Sequence, residues 1–275
     1  MSLISIRSAA VRAGSVACLL ALMAGCAKVP VTGRSQLHLI PSSEMMAMSA
    51  QQYGEFLQKN PPSADATGTA QVRRVGTRIQ RAVETYMQQN NLGSQLANYK
   101  WEFNLVDNKE VNAWCMPGGK VVVYSGILPV TRDDAGLAVV MGHEIAHAVA
   151  EHGSERMSHQ MVAQMGGIAL SEALHTKPAE TQQLWMTVFG AGAQYGALLP
   201  MSRLQESEAD RLGLIFMAMA GYDPHTAPEF WQRMSAGKEG APPEFMSTHP
   251  SDATRIQKLH ELMPEAMKYY QPAAK

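Results

Sequence analysis

Two histidines four residues apart, His143 and His147, with Glu144 beside the first, are the residues of this chain best placed to do chemistry. On a helix of 3.6 residues per turn both imidazoles leave the same face, one turn apart, and can bind a single metal ion. Glu144 then reaches a water on that ion. This is the His-Glu-x-x-His arrangement of a catalytic zinc site. The plain alternative is an ordinary helix that happens to carry two histidines. The capping signal ahead of the segment and its apolar face (Leu137, Val140, Ile145, Val149) argue against that.

Catalytic zinc takes three protein ligands and keeps a fourth position open. His152 lies five residues past His147 and turns to another face, so it fits poorly as the third. No Gly-x-x-His follows the motif. The better candidate lies in Ser202-Arg203-Leu204-Gln205-Glu206-Ser207-Glu208-Ala209-Asp210. Glu206 and Asp210 are one helical turn apart, so one carboxylate can bind the metal while the other orients a ligand histidine. Glu208 points about 200° away from Glu206 and should not share its face. Taken alone, such a run reads as a solvated acidic helix start; the histidine pair decides otherwise.

These groups need elements to hold them. Thr131 with Asp134 reads as a capping box for a helix over Asp133 to Glu151, with Gly153 as its stop. Ser202 with Gln205 reads as a second, starting a helix to Ala220 that Gly221 ends. Ser42 or Ser43 can cap a first helix to about Lys59, and Gln71 to Gln89 carries Val72, Val75, Ile79 and Val83 at helical spacing. Trp101 to Val106 and Lys120 to Ser125 read as strands, with Val111 to Trp114 extended between them. Helices are also expected over Glu155 to His175 and Ala179 to Tyr195. Gly237 to Pro243 reads as a loop, and Ser251 as the cap of a last helix to about Met263. The pattern is α+β: a mostly helical domain with a small segregated sheet. Lys120, Val121, Val122, Val123 and Tyr124 are expected to form an exposed edge strand that pairs with an extended peptide substrate.

The bulk numbers agree with one good-sized domain of 275 residues. A net charge of −1 gives no reason to expect a nucleic-acid partner. The 19 methionines read mainly as core filler. Arg7 and Arg12, the short apolar run from Gly14 to Gly25 and the small residues before Cys26 read as a secretory signal. Leu22-Met23-Ala24-Gly25-Cys26 resembles the lipoprotein box of bacteria, in which the Cys is lipidated and the chain is cut before it. Ala27 rather than Asp after it resembles lipoproteins sorted to the outer membrane. The expected organisation is a signal over residues 1–25, a lipidated tether over 26–41, a domain over 42–268 and a flexible tail over 269–275. Of three cysteines only Cys115 then remains unmodified, which excludes both an internal disulfide and a Cys-based zinc site.

The pairing of His143-Glu144-x-x-His147 with Glu206-x-Glu208-Ala209-Asp210 resembles peptidase family M48. Further matching stretches follow in order: Asn112 to Lys120, Tyr124 to Leu128, Ala220 to Pro224, and Thr248-His249-Pro250-Ser251 before Arg255. The resemblance spans roughly Trp101 to Arg255 and points to the soluble, lipid-anchored, LoiP-like branch. It implies a zincin-type domain with one zinc ion per subunit, Glu206 as third ligand and Asp210 as its neighbour. It brings His249 close to the metal, either to stabilise the tetrahedral intermediate or to cap the zinc in a latent state. Arg203 and Arg255 are candidates to pair with site carboxylates. The implied activity is an endopeptidase of the cell envelope, periplasm-facing, acting on unfolded or misassembled proteins. The rival from another class is an envelope chaperone or binding protein with a structural or latent zinc.

Overall fold

A computed structural model gives the fold and describes residues 26–29, 32–235, 245, 249 and 253–272. The proposed signal, the loop after Gly237 and Ser251 lie outside these residues. The chain opens on an antiparallel hairpin, β1 (Cys26–Lys28) and β2 (Ser35–Leu37), with Cys26 opposite Leu37. Helices α1 (Ser42–Lys59) and α2 (Ala66–Gln89) follow, then β3 (Glu102–Val106), β4 (Ala113–Met116) and β5 (Lys120–Tyr124). The rest is helical: α3 (Asp134–Val149), α4 (His152–Leu174), α5 (Ala179–Ala193), α6 (Leu199–Met219), α7 (Thr226–Ser235) and α8 (Ala253–Ala266). A mostly helical α+β domain is therefore what forms.

The sheet corrects one expectation. Its strand order is β3-β5-β4, with β5 parallel to β3 and antiparallel to β4. Lys120–Tyr124 is the central strand, and its five residues are all buried. Both of its hydrogen-bonding edges belong to its neighbours, so it cannot take up a peptide. Three valines in a row, without alternation, suit a strand covered on both faces. The edges are β3 and β4, and β4 packs against α3.

Helix ends differ in instructive ways. Asp133, not Thr131, caps α3: its carboxylate accepts from the Gly136 amide at 2.8 Å. Thr131 ends a preceding helical turn, and its hydroxyl donates to Leu128 O at 3.0 Å. Gly136 is required there, because a Cβ would lie 2.1 Å from Thr131 O. α3 ends at Val149 through Glu151 in the left-handed region (φ 57°), and Gly153 falls inside α4. Ser202 also caps nothing, since a π-helical segment, Gln194–Leu198, leads straight from α5 into α6. α2 starts a turn earlier than its apolar spacing indicates, at an Asp65 side-chain cap.

α3 is buried along nearly its whole length between the sheet, α2 and α6. It crosses α6 where two glycines meet. A Cβ on Gly142 would lie 3.0 Å from Gly213 O, and one on Gly213 would lie 3.0 Å from the His143 amide nitrogen. Only side chains this small let the backbones approach so closely beside the histidine motif.

Described residues of the expected tether and tail are also part of the body. Within the expected tether, Val29 and Gln36 are buried, and the Leu39 amide donates to Ser158 Oγ of α4 at 3.0 Å. Tyr269, expected in a loose tail, packs on Tyr86 with ring centroids 5.9 Å apart. α4 and α5 form a hairpin that leaves Met165, Ile168, Leu184, Trp185 and Val188 exposed. The methionines therefore serve two settings: Met87, Met141 and Met217 fill the core, while others face solvent on this hairpin. Among the described residues no helix is long and apolar enough to cross a membrane.

Candidate metal centre

α3 supplies His143, Glu144 and His147; α6 supplies Glu206 and Asp210; His249 comes from the segment before α8. His143 Nε2 lies 3.1 Å from His147 Nε2, and each lies 3.3 Å from a Glu206 oxygen. His249 Nδ1 is 3.1 Å from both His143 Nε2 and Glu206 Oε2. One donor atom from each of these four buried residues lies within 4.8 Å of the others. Zinc bonded tetrahedrally to nitrogen and oxygen at ~2.1 Å would set its ligand atoms about 3.4 Å apart. Three imidazole nitrogens and a carboxylate oxygen at these separations fit that ion.

The electrostatics point the same way. Burial opposes charge on Glu206, yet hydrogen bonds with His143, His147 and His249 hold its carboxyl far below the usual range. Burial also opposes charge on His143, but Asp210 and Glu206 raise its pKa to about 9. His147, where burial dominates, stays neutral. The cluster is thus built to favour positive charge at its centre, with a neutral imidazole ready to coordinate. Burial pushes the Glu144 carboxyl up, with His249 and His143 acting against it. Among the described residues Glu144 Oε1 has no aligned hydrogen-bond partner, although it lies 3.3 Å from His249 Nε2.

Asp210 does not join the cluster. It sits behind His143, with Oδ1 3.0 Å from Nδ1, and Arg255 grips it through two bonds of 2.7 and 2.8 Å. Arg255 in turn stacks on Trp231, with Cζ 3.4 Å from the ring centre. Arg203, the other candidate arginine, is exposed. Glu208 points away from the cluster, as its spacing requires.

The β5 residues lie elsewhere: Lys120 donates to Lys100 O at 2.7 Å and pairs with Glu102. Cys115 is an unpaired thiol whose pKa burial pushes up, so it stays protonated. Cys26 is described only as the first residue of β1.

Residues outside the sequence-derived set also matter. His152 Nδ1 lies 2.8 Å from His147 Nδ1, and its Nε2 lies 3.3 Å from Glu208 Oε2. His152 fits poorly as a metal ligand but well as a neighbour of one. The same five-residue spacing that turns it away from the metal sets it behind His147.

This fold, with the donor pair on one helix and the carboxylate on a second, defines a zincin-type domain with a candidate metal centre. The chain belongs to peptidase family M48, whose model matches residues 73–263. Zinc is the metal of that family. The mitochondrial metalloendopeptidase OMA1 of Schizosaccharomyces pombe is 38% identical over 175 residues, covering 63% of this chain and 50% of that protein. The bovine mitochondrial metalloendopeptidase OMA1 is 32% identical over 247 residues, covering 87% and 46%. The beta-barrel assembly-enhancing protease of Escherichia coli K12 is 31% identical over 182 residues, covering 61% and 36%. The chain thus spans about half the length of these relatives, or less.

Proposed function

We propose that this protein is a zinc-dependent endopeptidase of the bacterial cell envelope that cuts unfolded or misassembled envelope proteins. The observation that carries the reading is the convergence of His143, His147 and Glu206 from two helices, with Glu144 beside them. In this reading those three residues are the metal ligands. Zinc, when bound, supplies the Lewis acidity that polarises an amide carbonyl and makes water acidic. Glu144 takes a proton from the attacking water and later delivers it to the leaving amine. A carboxyl raised by burial is suited to hold that proton in between. Asp210 orients His143. The substrate segment runs beside β4, the edge strand packed on the motif helix, in place of the buried β5. The Escherichia coli relative, a beta-barrel assembly-enhancing protease, supports an envelope role, as does the signal and lipoprotein box ending at Cys26. In this reading the protein faces the periplasm and is anchored by lipid on Cys26, with Ala27 after it sorting the anchor to the outer membrane.

His249 fits best as a cap. Its Nδ1 sits 3.1 Å from Glu206 and from His143, in the corner that water must enter. Cleavage then requires His249 to leave, and His249→Ala raises turnover of casein. If His249 holds the oxyanion instead, the same variant lowers it. The capped geometry also supports a second reading, a binding protein or chaperone with closed zinc, since structural sites are four-coordinate. Zinc analysis and casein cleavage with and without chelator separate the two readings. Full zinc occupancy with no chelator-sensitive cleavage, in wild type and His249→Ala alike, sinks the endopeptidase.

A further inference from the structure

The two histidines of the motif are backed in parallel ways. Behind His143 stands Asp210, held by Arg255 from near the C-terminus. Behind His147 the support is one ring longer. His147 Nδ1 meets His152 Nδ1 at 2.8 Å, and His152 Nε2 meets Glu208 Oε2 at 3.3 Å. Glu208 accepts from Arg34 Nε at 2.8 Å and from Thr32 Oγ1 at 2.7 Å, both from the N-terminal hairpin. Arg34 is itself anchored by two bonds of 2.7 Å to Glu155, whose carboxylate also accepts from Gln205 at 2.7 Å.

The direction of this chain follows from its far end. An ionised carboxylate only accepts hydrogen bonds, so His152 carries its proton on Nε2. A neutral His152 then has a bare Nδ1, which accepts from His147 Nδ1–H. That leaves His147 Nε2, the nitrogen facing Glu206, without a proton and free to coordinate. The opposite direction would set a bare His152 Nε2 against the Glu208 carboxylate and place the His147 proton among the donor atoms.

We infer that Arg34 is a positioning residue for the metal centre: by holding Glu208 against His152 it fixes the ring and the tautomer of His147. This rests on the reading of His143, His147 and Glu206 as metal ligands. It gives the N-terminal hairpin a part in the site, although none of its described residues is among the four that could hold the metal. Two arginines then set the metal centre, Arg255 through His143 and Arg34 through His147.

The test measures zinc affinity of the full protein by competition with a chromophoric chelator, together with the visible spectrum of the cobalt-substituted protein. Arg34→Gln is expected to weaken zinc binding ~10- to 100-fold, as losing an outer-shell partner does, and to alter the cobalt spectrum. Glu208→Gln should do the same, and the double variant should lose no more than either single one, because both act along one chain. Arg74→Gln removes an exposed arginine paired with Asp134 and should leave affinity and spectrum unchanged. Wild-type affinity and spectrum in Arg34→Gln overturn the inference, as does an equal loss in Arg74→Gln. Should Arg34→Gln fail to fold, Glu208→Gln decides on the same criteria. Glu206→Gln separates the levels: if it leaves zinc affinity intact, the ligand reading itself fails, whatever Arg34 does.

Discussion

Glu144 and Asp210 are both buried carboxyl groups, and their surroundings push them in opposite directions. At Glu144 burial dominates and raises the pKa. Glu144→Gln removes the proton carrier but none of the ligand atoms. It should retain zinc and lower casein cleavage by at least ~100-fold, the scale of a lost general base. Cleavage at the wild-type rate would remove Glu144 from the chemistry. At Asp210 burial is overcome by Arg255 and by the hydrogen bond with His143, so the carboxyl sits below its usual range. Asp210→Asn removes the carboxylate charge that the buried Arg255 grips at 2.7 Å and leaves it the longer contact with Glu206 at 3.5 Å. Breaking such a pair costs about 3–5 kcal/mol, so denaturant unfolding should show a loss of that order. Zinc affinity should fall alongside it, since His143 loses its orienting partner.

At the scale of elements, the crossing of α3 and α6 sets the distance between the histidines and Glu206. Gly213→Ala places a methyl group 3.0 Å from the His143 amide nitrogen and 3.1 Å from its Cα. These are backbone atoms and cannot turn aside. The helices must separate by tenths of an ångström. We expect a loss of about 1–3 kcal/mol from overpacking and weaker zinc binding. Gly54→Ala in α1 is the opposite case: nothing lies within 4 Å of the new methyl, so helix propensity alone acts. Stability should rise by up to about 1 kcal/mol. Equal effects of the two variants in thermal unfolding would refute the close crossing.

The N-terminal hairpin is held to α4 by the ion pair of Arg34 with Glu155. Burial works against the Glu155 carboxylate, but Arg34 and Gln205 hold its pKa below the ordinary value of 4.5. Its pKa is thus lower folded than unfolded. The stability it contributes is present above the unfolded value and is lost as pH falls through the folded one. Unfolding followed from pH 5 downward should show a shallower decline in Glu155→Gln than in wild type. Identical slopes would mean that the pair does not hold the hairpin.

For the whole molecule, the proposed anchor leaves little slack. Cys26 begins a strand paired with Leu37, and the next residues are bonded to α4 and α6. A lipid on Cys26 would hold the body that carries the candidate metal centre close to the membrane surface. The exposed apolar hairpin of α4 and α5 belongs to the same body. Replacing Cys26 by Ser should move the protein from the membrane fraction to the soluble one and abolish labelling by a palmitate analogue. Full retention in the membrane fraction would refute the lipid anchor.

Read by itself, the chain determined what depends on local spacing. The four-residue interval of His143 and His147 puts both rings on one helical face. The same interval joins Glu206 to Asp210, and Glu208 must point elsewhere. Helix existence was legible from apolar periodicity, whereas several ends were not. Thr131 and Asp133 both have capping chemistry, and only the packed turn behind Gly136 selects between them. Tertiary structure decided everything that requires two distant segments to meet. Three consecutive valines are compatible with an edge or a centre, and only strand pairing made Lys120–Tyr124 the centre. Arg34 and Glu208 are separated by 174 residues, and no periodicity along the chain connects them. The reason is physical: a helix or strand repeats over a few residues, so its geometry can be read from neighbours. Hydrogen bonds and ion pairs between elements depend on how the core packs, which is set by the whole chain at once.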